Sequence, residues 1–223
     1  MNLKSLELLQ HGSEQRWKLS EQMLKRIRQV AWSLVAVVAA AFAYWSLKDG
    51  GRFDRSTSSS DDRFVAEFEL VDHTGAPRTA EDYRGRWLLV FFGFANCPDI
   101  CPTTLAEVAA AMNQLGPLSD EVQPLFVTID PERDTPEALA EFIPQFEAGI
   151  VGLSGTPDQI AETARSFFVF SEKVDDQNAP DGYTMGHSSQ LFLFAPDGGY
   201  ERSWAYGTPV EDISSDLLEL MRS

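Results

Sequence analysis

Asn96-Cys97-Pro98-Asp99-Ile100-Cys101-Pro102 holds the only two cysteines of a 223-residue chain. Before it, Trp87-Leu88-Leu89-Val90-Phe91-Phe92 reads as a buried strand. After it, Thr103 to Leu115 carries apolar residues at helical spacing. Two thiols therefore sit on a strand-to-helix turn, where α/β folds commonly place chemistry. Each cysteine precedes a proline, which disfavours the α region for both. A helix starting at Pro98 would enclose Pro102, whose ring would meet the carbonyl four residues back. The sequence thus predicts a helix from Pro102, with proline at its first position and Cys101 near the N-cap. At such a tip the helix dipole and free N–H groups favour thiolate over thiol. That is the state needed to bind a soft metal or to attack a disulfide.

Working outward, the N-terminal part differs in kind from the rest. Val30 to Leu47 is uncharged and apolar, just long enough for a bilayer, which needs about 18 to 20 such residues. Trp32, Tyr44 and Trp45 lie near its ends, and Lys18, Lys25, Arg26 and Arg28 precede it. By the positive-inside rule, residues 1–29 are expected in the cytoplasm, 30–47 as an inner-membrane anchor, and the remainder in the periplasm. A cleaved signal peptide, cut near Ala41 to Ala43, is the competing reading. The long polar N-region and long apolar run favour the uncleaved anchor. Residues 48–63, rich in Gly, Ser and Asp, read as a flexible tether, and the folded domain is expected over 64–223.

Residues 1–50 hold seven Lys/Arg and four Asp/Glu, so of the total charge of −16, residues 51–223 carry −19. Phosphate repels a domain that acidic, which argues against a nucleic-acid partner and toward cations and basic surfaces. Two cysteines in an exported chain could form a plain structural disulfide. However, a loop this short constrains the unfolded chain by only about 2 kcal/mol, so the pair reads as reactive.

The pattern beyond the first strand alternates. A strand at Gln123–Ile129 is followed by a helix from Thr135-Pro136 to Phe146. A short strand at Ile150–Leu153 precedes a helix opened by Thr156-Pro157-Asp158-Gln159, and Val169–Val174 is a further strand. The polar segment Asp175 to Gly186 is expected as a loop. The strand Leu191–Phe194, a turn at Pro196–Gly199, a return strand Tyr200–Trp204 and a helix Val210–Met221 close the chain. This is an α/β order: a mixed sheet with helices on both faces.

Three ordered blocks then stand out: Phe91-Phe92-Gly93-Phe94-Ala95-Asn96-Cys97-Pro98-Asp99-Ile100-Cys101-Pro102-Thr103-Thr104-Leu105, Thr128-Ile129-Asp130-Pro131-Glu132-Arg133-Asp134-Thr135-Pro136, and Tyr183-Thr184-Met185-Gly186-His187-Ser188-Ser189. Together they resemble the signature of the Sco/SenC family of membrane-anchored copper proteins, over about Phe64 to the C-terminus. The resemblance implies a thioredoxin-like fold. It also implies copper delivery to the dinuclear copper centre of cytochrome c oxidase, or thiol-disulfide work on that centre's cysteines. The family's copper ligands map onto Cys97, Cys101 and His187. Phe94-Ala95-Asn96 departs from the Tyr-Thr-His of many members, which bears on contacts behind the ligands rather than on the ligands.

Residue chemistry runs the same way. Soft thiolates favour Cu(I), and imidazole suits Cu(I) and Cu(II). A structural zinc site normally closes with four ligands, and only three candidates exist here. Asp130 and Asp134 are expected near the thiols, to orient a ligand or shift a thiol pKa, with a helix cap as the plainer reading for Asp134. Arg133 is expected to pair with these carboxylates. His73 reads as a surface turn residue, His11 lies on the wrong side of the membrane, and Met185 reads as packing. The leading expectation is a metallochaperone that takes copper from a donor and hands it to an oxidase subunit without substrate turnover. The alternative is a thiol-disulfide oxidoreductase, although three residues separate the cysteines where the thioredoxin motif has two. A peroxidase is disfavoured by the residues before Cys97.

Overall fold

The computed structural model describes residues 63–222. The expected anchor 30–47, the segment 1–29 and all but the end of the tether lie outside the described residues. Among those described, no helix is long and apolar enough to cross a membrane. The strands are β1 (Glu69–Asp72), β2 (Pro77–Thr79), β3 (Trp87–Gly93), β4 (Val122–Thr128), β5 (Val151–Ser154), β6 (Ser171–Asp175), β7 (Tyr183–His187), β8 (Gln190–Phe194) and β9 (Tyr200–Ala205). The helices are α1 (Ile100–Leu115), α2 (Pro136–Phe142), α3 (Pro157–Ser166) and α4 (Val210–Leu220).

Seven strands form one mixed sheet in the order β2-β1-β5-β4-β3-β8-β9. β3, β4 and β5 run parallel, while β1 and β8 pair antiparallel with β5 and β3. β3 and β4 are central and covered on both faces, so they read as continuous apolar runs instead of alternating ones. Pro124 lies within β4 but just before the register with β5 begins at Leu125. Its missing N–H therefore falls where β4 has a neighbour on one side only.

Phe91, Gly93 and Phe126 point to one face, where Phe126 meets Phe142 of α2 at 5.7 Å. α1 packs on that face, and α4 closes over α1 through a Ser214 hydroxyl to Gln114 bond of 2.5 Å. Phe92 and Phe194 point to the other face, against Phe167 at the end of α3, at 5.1 and 5.3 Å. Helices thus lie on both faces of the sheet, as expected. Proline at the first helical position and a capping threonine start α2 and α3, with a full capping box between Thr156 and Gln159 on α3.

Four local expectations need correction. α1 begins at Ile100, with Asp99 in the N-cap position but making no side-chain cap bond, and not at Pro102. Pro102 falls in the first turn, where its missing N–H has no intrahelical partner anyway and the carbonyl four residues back lies outside the helix. Cys101 is consequently helical despite preceding a proline. α2 ends at Phe142 and tightens into a 3₁₀ turn at Ile143–Phe146, where Pro144 can no longer donate. Finally, Tyr183–His187 is not loop: it is β7, paired antiparallel with β6 in a separate hairpin.

Candidate metal centre

The geometry of the cysteine turn follows from where β3 ends and α1 begins. Cys97 is half-buried in the connecting loop, and Cys101 is fully buried in the first turn of α1. Both thiols are free in this structure. The backbone N–H of Cys101 donates to Cys97 Sγ at 3.4 Å, so this sulfur sits over the helix N-terminus. The thiol of Cys101 donates to it as well, and N–H groups of Asp99 and Ile100 also point at it. These donors, against the opposing cost of burial, hold the Cys97 thiol at about 5. Cys101 goes the other way: giving its proton to Cys97 and being buried push its thiol far up. The helix tip was expected to favour thiolate over thiol; the fold does so at Cys97 and leaves Cys101 as the thiol.

Gly93 sets the depth of this arrangement. A Cβ at Gly93 would lie 2.8 Å from Cys101 Sγ and 3.0 Å from the rings of Phe126 and Phe91. Gly93→Ala is therefore expected to cost about 1–3 kcal/mol through overpacking, read from the shift in denaturation midpoint.

His187 comes from the far end of the β6–β7 hairpin. Its ring stands edge-on to Phe91 at 6.3 Å and to Phe94 at 6.0 Å. Nδ1 lies 2.9 Å from the Ser188 carbonyl, which can only accept, so Nδ1 carries the proton. The Nε2 lone pair is then left facing Cys101 Sγ at 3.8 Å. One ion bonded at about 2.3 Å to sulfur and 2.0 Å to nitrogen would hold its donors about 3.5–3.7 Å apart, so this sulfur and nitrogen already stand near ligand separation. Among the described residues, no three Cys, His or carboxylate donors are yet gathered at metal-binding geometry.

Neither carboxylate bonds a sulfur, although the charge of Asp134 adds to what raises the Cys101 thiol, as expected. Asp134 is buried and accepts from the Thr128 hydroxyl at 2.6 Å and from the Ala95 N–H at 2.9 Å. It braces the cysteine loop two residues before Cys97, while Thr135 alone caps α2. Burial raises the Asp134 pKa. Asp134→Ala would strand both donors and relieve one buried carboxylate, a net loss expected at about 1–3 kcal/mol in a urea titration.

Asp130 accepts from Arg133 Nε at 2.5 Å and from the Tyr183 hydroxyl at 3.1 Å. The Arg133 guanidinium lies 3.9 Å, and Lys173 Nζ 3.7 Å, from the Tyr183 ring centre. Lys173 also pairs with Glu132 at 2.9 Å. This cluster ties the turn end of the histidine-bearing hairpin to the loop after β4, so Asp130 bears on the site through hairpin position. Tyr183, Lys173 and Thr128 were not singled out from the sequence. The alternation of Tyr183, Met185 and His187 on one hairpin face would have been the signal for Tyr183.

Two further expectations resolve here. His73 is not a free surface residue: its Nδ1 accepts from the Gly152 N–H at 3.1 Å, pinning β1 to β5. Met185 packs against the hydrophobic core.

The SCO1/SenC family model matches residues 56–222. The "Protein SCO2 homolog, mitochondrial" of Bos taurus is 37% identical over 181 residues, covering 78% of this chain and 66% of that protein. The chain spans about half to two-thirds of the length of its mammalian relatives. A crystal structure of Arabidopsis thaliana ScoI with copper bound superposes with a TM-score of 0.67 at 30% identity, over 71% of this chain and 98% of that one. BsSco, described as a member of the Sco family of cytochrome c oxidase assembly proteins with a disulfide switch, superposes with a TM-score of 0.57 at 25% identity, over 70% and 93%.

Proposed function

The chain belongs to the SCO1/SenC family, and from that premise we propose that it is a thioredoxin-like metallochaperone carrying one copper ion to the dinuclear copper centre of cytochrome c oxidase. Cys97, Cys101 and His187 hold the cargo, as Cu(I) through the thiolates and as Cu(II) with the imidazole added. The observation that carries this reading is the Nε2 lone pair of His187 facing Cys101 Sγ at 3.8 Å across 86 positions of sequence. That ring adds a nitrogen donor to the two sulfurs, making a three-donor set suited to copper. Metal binding must displace the Cys101 proton, so loading weakens as pH falls. Asp130 and Asp134 support the site from behind, through the hairpin and the cysteine loop.

Residues 30–47 anchor the chain in the inner membrane, with 1–29 in the cytoplasm, 48–63 as tether and 64–223 as the periplasmic copper domain. A copper donor and the copper-receiving oxidase subunit are its partners.

A second reading is supported by the divided pair of thiols. The Cys97 thiolate attacks a partner disulfide, forms a mixed disulfide and releases one partner thiolate. The Cys101 thiol then attacks Cys97 Sγ, expelling the second partner sulfur as thiolate and passing its proton to a released partner thiolate, which closes an intramolecular disulfide and leaves the partner dithiol reduced. The disulfide switch of the relative BsSco is in line with such cycling.

Cells lacking the chain test the proposal: oxidase copper content is expected to drop and to recover on adding copper. Complementation with His187→Ala separates the readings. A chaperone that carries Cu(II) is expected to fail without the ring, whereas a reductase keeps reducing the partner disulfide through its two sulfurs. Normal oxidase copper in the deletion cells overturns both.

A further inference from the structure

α3 ends in a Schellman motif: the Val169 N–H bonds the Ala164 carbonyl at 2.8 Å and the Phe168 N–H bonds the Arg165 carbonyl at 3.1 Å. The residue in the left-handed position is Phe168, at φ 55°, where glycine or asparagine is usual. This phenylalanine is also 81% exposed. The left-handed backbone disfavours folding, the ring gives back only an edge-on contact with Phe64 at 5.4 Å, and glycine would relieve the strain. Phe170 follows at 60% exposed. Its carbonyl accepts from the Ser188 N–H at 3.0 Å and its N–H donates to the Ser188 hydroxyl at 3.3 Å. Phe170 therefore lies one residue, and Phe168 three residues, from the strand pair Ser171–His187. Val174, 39% exposed, continues the same outward face of β6, with Glu172 between, and Gly186 opposite Glu172 keeps that face flat.

An apolar patch held at a cost to folding, on the outward face of the hairpin that carries His187 and bonded through the Phe170 backbone to the neighbouring Ser188, points outward to a partner. We propose that Phe168 and Phe170 form the docking patch for the protein that exchanges copper with this site, and that this partner presents an apolar recess rimmed by lysine and arginine. The charge argues for that chemistry: residues 51–223 carry −19, so a basic rim is attracted while anionic lipid is repelled. The proposal rests on the copper-delivery reading above.

The test uses the full-length chain in detergent, loaded with copper, and the copper-depleted oxidase subunit that carries the dinuclear centre as probe. Phe168→Gly and Phe170→Ser are expected to keep the copper-to-protein ratio of wild type, and Phe168→Gly to melt at an equal or higher temperature. The double variant is expected to transfer copper about tenfold more slowly, and added salt to slow wild type. Equal transfer rates for wild type and double variant overturn the patch. A defect seen only in lipid nanodiscs and not in detergent assigns the rings to lipid and overturns it too. If wild type transfers no copper to the probe, the delivery reading itself falls, and this proposal with it.

Discussion

Replacing His187 with alanine is expected to weaken Cu(II) binding by at least about a hundredfold, because losing a ligand exceeds the 10- to 100-fold cost of disturbing groups behind one. The side chain has little else to do. It is partly exposed at the end of β7, and its two ring nitrogens face the Ser188 carbonyl and Cys101 Sγ. Two sulfurs remain in the variant, and soft thiolates suffice for Cu(I), so Cu(I) binding is expected to fall much less. The asymmetry between the oxidation states is the diagnostic result. Competition titrations against a chelator, run on reduced wild-type and variant chain with each ion, measure it directly. An unchanged Cu(II) affinity removes the imidazole from the site.

Alkylation of the reduced, copper-free chain is expected to proceed at Cys97 with a midpoint at about pH 5, well below the ordinary thiol value of 9.0. At pH 6 such a thiol is about 90% ionised, against about 0.1% for a thiol at 9.0, a gain of about 900-fold. A less basic thiolate is intrinsically slower by about 40- to 100-fold, so the net advantage over free cysteine at pH 6 is about 10- to 20-fold. Cys101, buried and acting as donor, is expected to stay unmodified. Cys101→Ala removes the largest contribution to the shift and is expected to raise the Cys97 midpoint. The sign for stability follows from the proton count. Between about pH 5 and 9 the folded chain holds fewer protons at Cys97 than the unfolded chain does. This group's contribution therefore grows as pH rises through that window and is lost as pH falls through the folded value. Cys101 acts oppositely, but only as pH rises through the unfolded value near 9. A midpoint at 8 or above for Cys97 would contradict the helix-tip account.

The parts of the fold legible in sequence were those governed by local grammar or continuous burial. β3 and β4 announced themselves as apolar runs, and Thr135-Pro136 and Thr156-Pro157 marked the starts of α2 and α3. What was misread involved a competition between local rules. The pre-proline bias moved the expected start of α1 to Pro102, yet helix formation begins at Ile100 because a first-turn proline gives up no bond. The β6–β7 hairpin was missed because its turn is long and polar, and Gly186 interrupts the apolar alternation of β7.

The candidate ligands were legible through residue chemistry and block resemblance, but their division of labour was not. Which sulfur carries the charge depends on which N–H groups surround it, and those are set by the last residues of β3 and the first turn of α1. The carboxylates show the same limit. Asp134 sits next to a capping threonine in sequence, yet its bonds run to Ala95 and Thr128 across the sheet end. Asp130 finds Tyr183, 53 positions away, a contact that only the hairpin creates.

The central claim is that one ion is shared by two sulfurs of the α1 tip and one nitrogen of the β7 end. X-ray absorption on the full-length chain, reduced and loaded with a single equivalent of Cu(II), tests it most directly. The account predicts stoichiometric loading and a ligand shell of two sulfurs with one imidazole nitrogen, losing the nitrogen in His187→Ala. A reduced chain that takes up no copper, or a bound ion whose shell lacks that imidazole, would contradict it.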